Sequence, residues 1–416
     1  MTIKNLLQAQ LQKFILEHGA EDEKMMLLKH TSILGVPTPL VANQIAGRRK
    51  AKLKLPTWFA TPNIIYPPSL NIEQCSSEAT ATFKIKILKE NPTAGFDRAA
   101  DLTGGFGVDS YFLSSIFKEV DYIEPDEELF EITRHNHKTI QESRAQNIES
   151  IKHHNTTAED FLASTKIKYD LIFIDPSRRT KGNQKILRLA DCTPNITQLQ
   201  EAIFEKSDML LVKASPMLDL LQGIKELKHV EKVFVVAVEN ECKEVLFFCR
   251  KGFTGEPIIE AVNLNLAANQ DFKSFDFQLS EEKTSTTEFS NPLRYLYEPN
   301  AAMLKAGAFK LIAHRFLLKK IQQHTHLYTS ENLITDFPGR IFEIEALIKP
   351  DAKVVRQHFQ QGKANVLTRN YPLSPDELKK KTGLKDGGEK FLIGFSGVSE
   401  KFVVVCSKER EITNTL

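Results

Sequence analysis

The sequence predicts an α/β protein: an open, mostly parallel sheet with crossover helices, preceded by a helical lobe and followed by smaller α+β modules. Three observations carry this prediction. Between about residues 70 and 252, short apolar runs alternate with helical stretches, the pattern of parallel strands joined by helices. The last two runs are separated only by the polar stretch Asn240 to Lys243, as an antiparallel hairpin at a sheet edge requires. At 416 residues the chain exceeds one ordinary compact core and should divide into two to four domains.

At the N-terminus, Leu6, Leu7, Leu11, Phe14 and Ile15 recur at helical spacing up to Gly19, giving an amphipathic helix. Polar residues run through its apolar positions and no cleavage pattern follows, so neither a signal peptide nor a membrane span is expected, and a cytoplasmic location is. Residues 1–65 read as a helical lobe ending in Arg48, Arg49, Lys50, Lys52 and Lys54. Pro56, Pro62, Pro67 and Pro68 then read as an extended connector. Strands are expected near 96–102, 120–124, 148–153, 170–175, 209–213, 230–239 and 245–250. Beyond Gly255 the periodicity weakens before a helix containing Ala301, Leu304, Leu311 and Phe316. From Arg340 the order is strand, helix, strand, helix and two strands, a small α+β module.

Composition narrows the function. Apolar residues make up 41% and charged residues 26%, enough to bury real cores. A formal charge of +2 excludes a histone-like surface and leaves local basic patches open. Cys75, Cys192, Cys242, Cys249 and Cys406 are odd in number, scattered and without CxxC spacing, so neither a disulfide framework nor a zinc knuckle is indicated. His324 and His326 lack a third ligand at recognisable spacing, so no metal is expected.

Chemistry concentrates at three strand ends. After the first strand stand Asp101, Thr103, Gly104, Gly105 and Gly107, where glycines let the backbone turn sharply toward a ligand. The packed GGxG pattern admits no GxGxxG register, which weakens a dinucleotide reading. Glu124 closes the second strand, where a carboxylate can accept from ribose hydroxyls; alone it also fits a solvated strand end. Asp160 suits either an adenine contact or a helix cap. The apolar strand before Asp175 delivers Asp175, Pro176, Ser177, Arg178 and Arg179 at its carboxyl end, where ligands collect in open α/β sheets. Asp175 can accept from an acceptor amine, and Arg178 and Arg179 can hold phosphate or carboxylate, or be solvated turn residues.

With these residues in place, the chain resembles the class I S-adenosylmethionine-dependent methyltransferases. The resemblance covers about residues 70–252 and implies a Rossmann-like sheet of strand order 3-2-1-4-5-7-6. It implies S-adenosylmethionine as cofactor, with Asp101, Thr103, Gly104, Gly105 and Gly107 at its methionine part, Glu124 at its ribose and Asp160, more loosely, at its adenine. LNIEQCSSEATATFK upstream, and YLYEPNAAMLKAGAF and LTRNYPLSPDELKKKTGLKDGG downstream, resemble a narrower group with ferredoxin-like and C-terminal THUMP-like domains. The domains expected are therefore a helical lobe at 1–65, a methyltransferase domain at 66–254, a bridging ferredoxin-like region at 255–336 and a THUMP-like domain at 337–416. THUMP domains are associated with RNA modification, so the resemblance implies RNA as partner.

The departures constrain mechanism. Related amino-methylating enzymes often carry an aromatic residue after their Asp-Pro, to stack on a flipped base, where this chain has Ser177 and Arg178. Carbon-5 methylation needs a cysteine nucleophile, and Cys192 is the only candidate, with an inert buried thiol as the alternative. Transfer to nitrogen or oxygen by proximity remains, with Asp175 orienting or deprotonating the acceptor. Lys213 either neutralises charge nearby or caps its strand. For RNA capture the candidates are Lys363, Arg369 and Lys380 among Lys379, Lys381, Lys385 and Lys390, with Tyr371 as a stacking face; a solvated helix end fits them too. The Arg48 to Lys54 run beside Trp58 and Phe59 reads as an RNA-gripping arm or a solvated linker. Other classes kept open are a methyltransferase for protein or small molecules, and a non-catalytic RNA-binding protein.

Overall fold

A computed structural model of the chain describes residues 3–91, 95–144, 150–178, 188–266 and 274–408. Two compact units emerge, residues 1–232 with 244–255, and residues 233–243 with 256–416.

In the first unit, β1 (Arg98–Asp101), β2 (Glu119–Ile123), β3 (Ile151–His154), β4 (Leu171–Ile174) and β5 (Met209–Ala214) pair in parallel in the order 3-2-1-4-5. The central strands β4 and β5 are buried along their whole length, which is why their sequences are continuous apolar runs rather than alternating ones. β6 (Val230–Val238) leads into β7 (Glu241–Arg250) through Glu239 and Asn240, at φ 49° and 62°, the positive pair a tight hairpin turn needs. Residues Val245 to Arg250 then pair antiparallel with β5. The order through β7 is the one the resemblance implies.

Register decides which side chains meet. Asp101 lies opposite Tyr122 and Phe173, Val212 opposite Ile174, and Leu246 opposite Lys213. Because side chains alternate, Asp101, Glu124, Asp175 and Lys213 fall on one face at the carboxyl ends of the parallel strands, and Glu244, in the amino-terminal half of antiparallel β7, falls on the same face beside them.

Helix α1 (Glu78–Lys89) covers this region. It begins at Ser77, whose hydroxyl accepts the Thr80 N–H at 3.2 Å, and carries Glu78 in its first turn and Lys86 and Lys89 in its last, as the helix dipole favours. Its buried face is Thr80, Ala81, Phe83, Lys84, Ile85 and Leu88. A lysine in that row is costly unless paired.

The boundary expected at residue 65 does not separate two cores. Leu11, Ile45, Trp58, Ile65 and Ile72 share one apolar cluster with Phe106, Val108, Tyr111 and Ile132. Ile65 also exchanges two hydrogen bonds with the buried Asn136 side chain, at 2.9 and 2.8 Å. The proline-rich stretch contributes by starting helices: Pro56 is at the first position of Pro56–Ala60, where its missing N–H costs nothing. The basic run lies in helix Thr38–Lys54 and is tied down locally. Arg48 donates to Phe59 O at 2.9 Å, Arg49 and Lys50 pair with Glu23 and Glu73, and Lys54 donates to Ile72 O at 2.8 Å. Trp58 is fully buried, 5.2 Å from Tyr111, and offers no base a stacking face.

The second unit contains the antiparallel pair β8 (Ile258–Leu264) and β9 (Ser274–Gln278). It also holds a seven-stranded sheet built from β10 (Tyr295–Pro299), β11 (Lys319–Gln322), β12 (Thr325–Ser330), β13 (Gly339–Leu347), β14 (Asn365–Arg369), β15 (Lys390–Ser396) and β16 (Lys401–Lys408), in the order 11-12-10-13-16-15-14. The strand and helix order expected after Arg340 is the one observed. The helix expected around Ala301 to Phe316 is two, Ala301–Ala306 and Phe309–Arg315, because Gly307 takes a left-handed φ of 85° at the break. His324 and His326 belong to a hairpin, with the His326 ring stacked 3.7 Å from Phe309.

Candidate active site

The glycine loop is shaped from below by Asp101. Its Oδ1 accepts the Thr103 N–H at 3.1 Å and its Oδ2 the Ser110 hydroxyl at 2.6 Å. Burial first of all raises this carboxyl to about 7. Gly104 donates to Ile123 O at 2.8 Å, and a Cβ there would stand 2.2 Å from the Tyr122 ring. Gly105, at φ 54°, donates to Glu124 Oε2 at 2.9 Å, and a Cβ there would meet only Thr103 O at 3.7 Å, leaving the loop open on that side. Glu124 is buried rather than solvated; its Oε1 accepts the Asp126 N–H at 2.9 Å, and desolvation, the largest influence on it, raises its pKa above the usual carboxylate value. A carboxylate has about four acceptor positions, so two remain for a ligand.

A ring of side chains braces the loop. Gly105 O accepts from the Tyr122 hydroxyl at 2.7 Å and the Thr133 hydroxyl at 2.9 Å. Gly107 O accepts from His137 Nε2 at 2.9 Å, leaving His137 Nδ1 to accept from His153 Nε2 at 3.0 Å. Burial is the main force pushing His137 down to about 3 and His153 to about 4, so both are neutral at physiological pH. The unfolded chain binds these protons below about pH 6.5 while the fold refuses them, so this stability is present above that pH and is lost as pH falls toward 4. Urea midpoints for the full chain are expected to drop over that interval, and less steeply for His137→Asn. Gly107→Ala places a side chain at φ 76° and 2.4 Å from Thr133; it is expected to cost ~1–3 kcal/mol in a urea titration.

Beside the loop lies a buried network of charge. Asp175 pairs with Lys213, and its N–H donates to Thr103 Oγ1 at 2.6 Å, fastening strand β4 to the loop. Behind them Lys84 Nζ stands 3.1 Å from Asp109 Oδ1, 2.8 Å from Glu244 Oε1 and 3.0 Å from Ser76 Oγ. Ser76 also donates to Asp109 Oδ2 at 2.6 Å. Burial works against the charge on Lys213, but Asp175, Asp109 and Glu244 outweigh it and hold the ammonium well above its ordinary range. Likewise burial acts first on Asp109, yet Lys84 and Lys213 bring its carboxyl below the usual value. Sequence reasoning missed Lys84, Asp109, Glu244 and Ser76. Lys213 is no surface cap, since it is 7% exposed.

The remaining expected residues fall as follows. Pro176 is buried behind Asp175. Arg178 sits in the two-residue strand Ser177–Arg178, opposite Cys192, and Arg179 lies outside the described residues. Asp160 is exposed in the first turn of Ala158–Ser164, where the cap itself is Thr157: the Thr157 hydroxyl accepts the Asp160 N–H at 3.1 Å and donates to Asp160 Oδ2 at 2.8 Å. Asn155, just upstream, is joined to the site by its side-chain amide N–H, which donates to Glu124 O at 2.8 Å. In the second unit, Arg369 pairs with the buried Glu298 at 2.5 Å, which also holds Arg340 at 2.7 Å. Lys379 pairs with Asp376 and Asp386, and Lys390 with Glu345, so only part of the basic patch carries free charge. Lys363, Lys380, Lys381 and Lys385 are exposed, while Tyr371 packs against an apolar cluster.

A parallel sheet with a glycine loop after its first strand and acidic residues closing strands one, two and four defines a class I methyltransferase fold. Over 98% of this chain and 99% of its own, a crystal structure from Porphyromonas gingivalis, assigned as a methyltransferase, aligns at 31% identity with a TM-score of 0.81. Family models match residues 295–338 as a ferredoxin-like domain and residues 339–408 as THUMP domain-like. The chain belongs to the class I S-adenosylmethionine-dependent methyltransferases with a C-terminal THUMP-like domain. Two further structures align over less than half of this chain. An RNA methyltransferase assignment from Pyrococcus horikoshii shares 14% identity over 44% of this chain and 91% of that one, at a TM-score of 0.31. A SAM-dependent methyltransferase from Agrobacterium tumefaciens shares 18% over 35% and 45%, at 0.26. Among curated proteins none matches. No helix among the described residues is long and apolar enough to cross a membrane.

Proposed function

We propose that the chain methylates RNA at a nitrogen or oxygen from S-adenosylmethionine, without a cysteine-linked intermediate, in the cytoplasm. The observation that carries the reading is the Asp175–Lys213 pair beside the glycine loop, joined to it by the Asp175 N–H bond to Thr103. The donor set fits the cofactor: the open side of Gly105 leaves room for it, and the spare acceptor positions on Glu124 suit ribose hydroxyls. Bound there, S-adenosylmethionine supplies a methyl group already activated on a sulfonium. The protein's part is to align a lone pair with it, worth effective molarities of about 10⁵ M or more in favourable cases. Asp175 orients the acceptor and takes its proton. The THUMP-like module, with exposed Lys363 and Lys380, supports RNA as the substrate.

No thiol is poised for covalent catalysis. Cys75 lies close enough to feel Lys213, Asp109 and Asp175, but burial pushes it up to about 11 and its Sγ donates to Ile72 O at 3.2 Å. Cys192 is buried against a backbone carbonyl. Cys75→Ala and Cys192→Ala are therefore each expected to keep turnover within about threefold, measured as label incorporated per enzyme; loss above ~100-fold would restore a covalent route. The reading itself is tested by incubating the full chain with methyl-labelled cofactor and total RNA from a strain lacking the gene. Label in RNA is expected, and label confined to protein or small molecules would overturn it.

A further inference from the structure

We propose that the acceptor is a ribose 2′-hydroxyl of RNA, held between Lys213 as hydrogen-bond donor and Asp175 as acceptor. The proposal rests on the RNA-methylation reading above and names the atom that reading leaves open. Asp175 is the most exposed member of the charged network, its side chain 31% exposed against 11% for Asp109 and 3% for Lys84 and Glu244, and Lys213, 9% exposed, is the ammonium paired with it. The site thus presents one ammonium and one carboxylate, paired and adjacent.

That pairing matches one acceptor chemistry. A hydroxyl has one O–H and two lone pairs. Its O–H points to Asp175, one lone pair receives Lys213, and the second stays free for the methyl group. A ring nitrogen has a single lone pair, which an ammonium donor would occupy. An amino group has two N–H donors, calls for acceptors on both and offers the ammonium nothing to bond without blocking the reacting electrons. The residues after Asp175 point the same way. Ser177 and Arg178 provide no aromatic ring against which a flipped base would stack, and a ribose hydroxyl requires no flipping. Within an RNA chain the 2′ position carries the free sugar hydroxyl.

The step balances without a further reactant. The hydroxyl oxygen gains an O–CH₃ bond as the S–CH₃ bond of the sulfonium breaks, and its O–H bond breaks with the proton passing to the Asp175 carboxylate. An oxygen already carrying the methyl group is strongly acidic, so a carboxylate is base enough. The positive charge leaving sulfur is released as that proton. Lys213 stays an ammonium, held by Asp175 on one side and by the field of Asp109 and Glu244 on the other.

Two readouts test the proposal. RNA labelled by the full-length protein is hydrolysed in alkali, where a 2′-methoxy group protects the adjoining phosphodiester. Label in alkali-resistant dinucleotides is expected. Label in ordinary mononucleotides would overturn the hydroxyl assignment while leaving RNA methylation standing, whereas label in no RNA would overturn both. Independently of turnover, cofactor-free protein is titrated with an oligonucleotide spanning the labelled position and with its single 2′-deoxy counterpart. The ribose form is expected to bind about tenfold more tightly, and Asp175→Ala, which keeps the Lys213 donor, to show a clearly smaller preference, as loss of one of the two hydrogen bonds to charged groups predicts. Equal binding of the two oligonucleotides to the unaltered protein would contradict the proposal.

Discussion

Asp175→Ala is expected to lower methyl transfer into RNA by ~10²–10⁴-fold, the usual worth of a positioned proton acceptor, while leaving cofactor affinity within a few fold. The separation follows from geometry. The link from position 175 to the glycine loop is a backbone N–H to Thr103 Oγ1 at 2.6 Å, which alanine keeps, whereas the link to Lys213 is the carboxylate, which alanine removes. Single-turnover label transfer and calorimetric titration of the cofactor measure the two effects separately. Full turnover in the variant would remove Asp175 from the chemistry. Equal loss of cofactor binding and turnover would assign it to holding the loop instead.

Lys84→Met is expected to destabilise the first unit by about 3–5 kcal/mol, because it removes the buried ammonium that pairs with both Asp109 and Glu244 and leaves only the more distant Lys213 to offset them. A single domain carries roughly 5–15 kcal/mol of stability, so the variant should unfold at a much lower urea concentration. Adding Glu244→Gln and Asp109→Asn to Lys84→Met removes the two negative charges and should recover part of the loss. If Lys84→Met alone unfolds at the same midpoint as the original chain, the network contributes no net stability and exists to set the charge of Lys213.

How far the sequence reveals this site depends on the range of the interactions involved. All seven predicted strands of the catalytic sheet are present, with ends displaced by a few residues, because buried parallel strands write themselves as local apolar runs. Asp101, Gly105, Glu124 and Asp175 were legible because each follows such a run directly. Lys84 and Glu244 were not, since charged residues in a helix and at a strand end read as solvated until tertiary pairing is known. A signal existed in each case. Lys84 stands in the apolar row Ala81, Ile85 and Leu88, and Glu244 precedes Leu246 by two residues, on the face that Lys213 occupies. The Arg48 to Lys54 run misled for the converse reason: Glu23 and Glu73, which neutralise it, are more than twenty residues away in the chain, and Trp58 is covered by Tyr111 from beyond the expected boundary. The weakened periodicity beyond Gly255 hid two strands, Ile258–Leu264 and Ser274–Gln278, whose alternation is short.

Methyl transfer by this chain requires that the strand ends carrying Asp101, Glu124 and Asp175 form a cofactor site. Calorimetric titration of the full-length protein with S-adenosylmethionine, repeated on Glu124→Ala, tests it most directly. Saturable one-to-one binding is predicted for the unaltered chain, with affinity lowered about tenfold or more in the variant once the carboxylate acceptor is gone. No binding to the unaltered chain, or equal binding to both proteins, would contradict it.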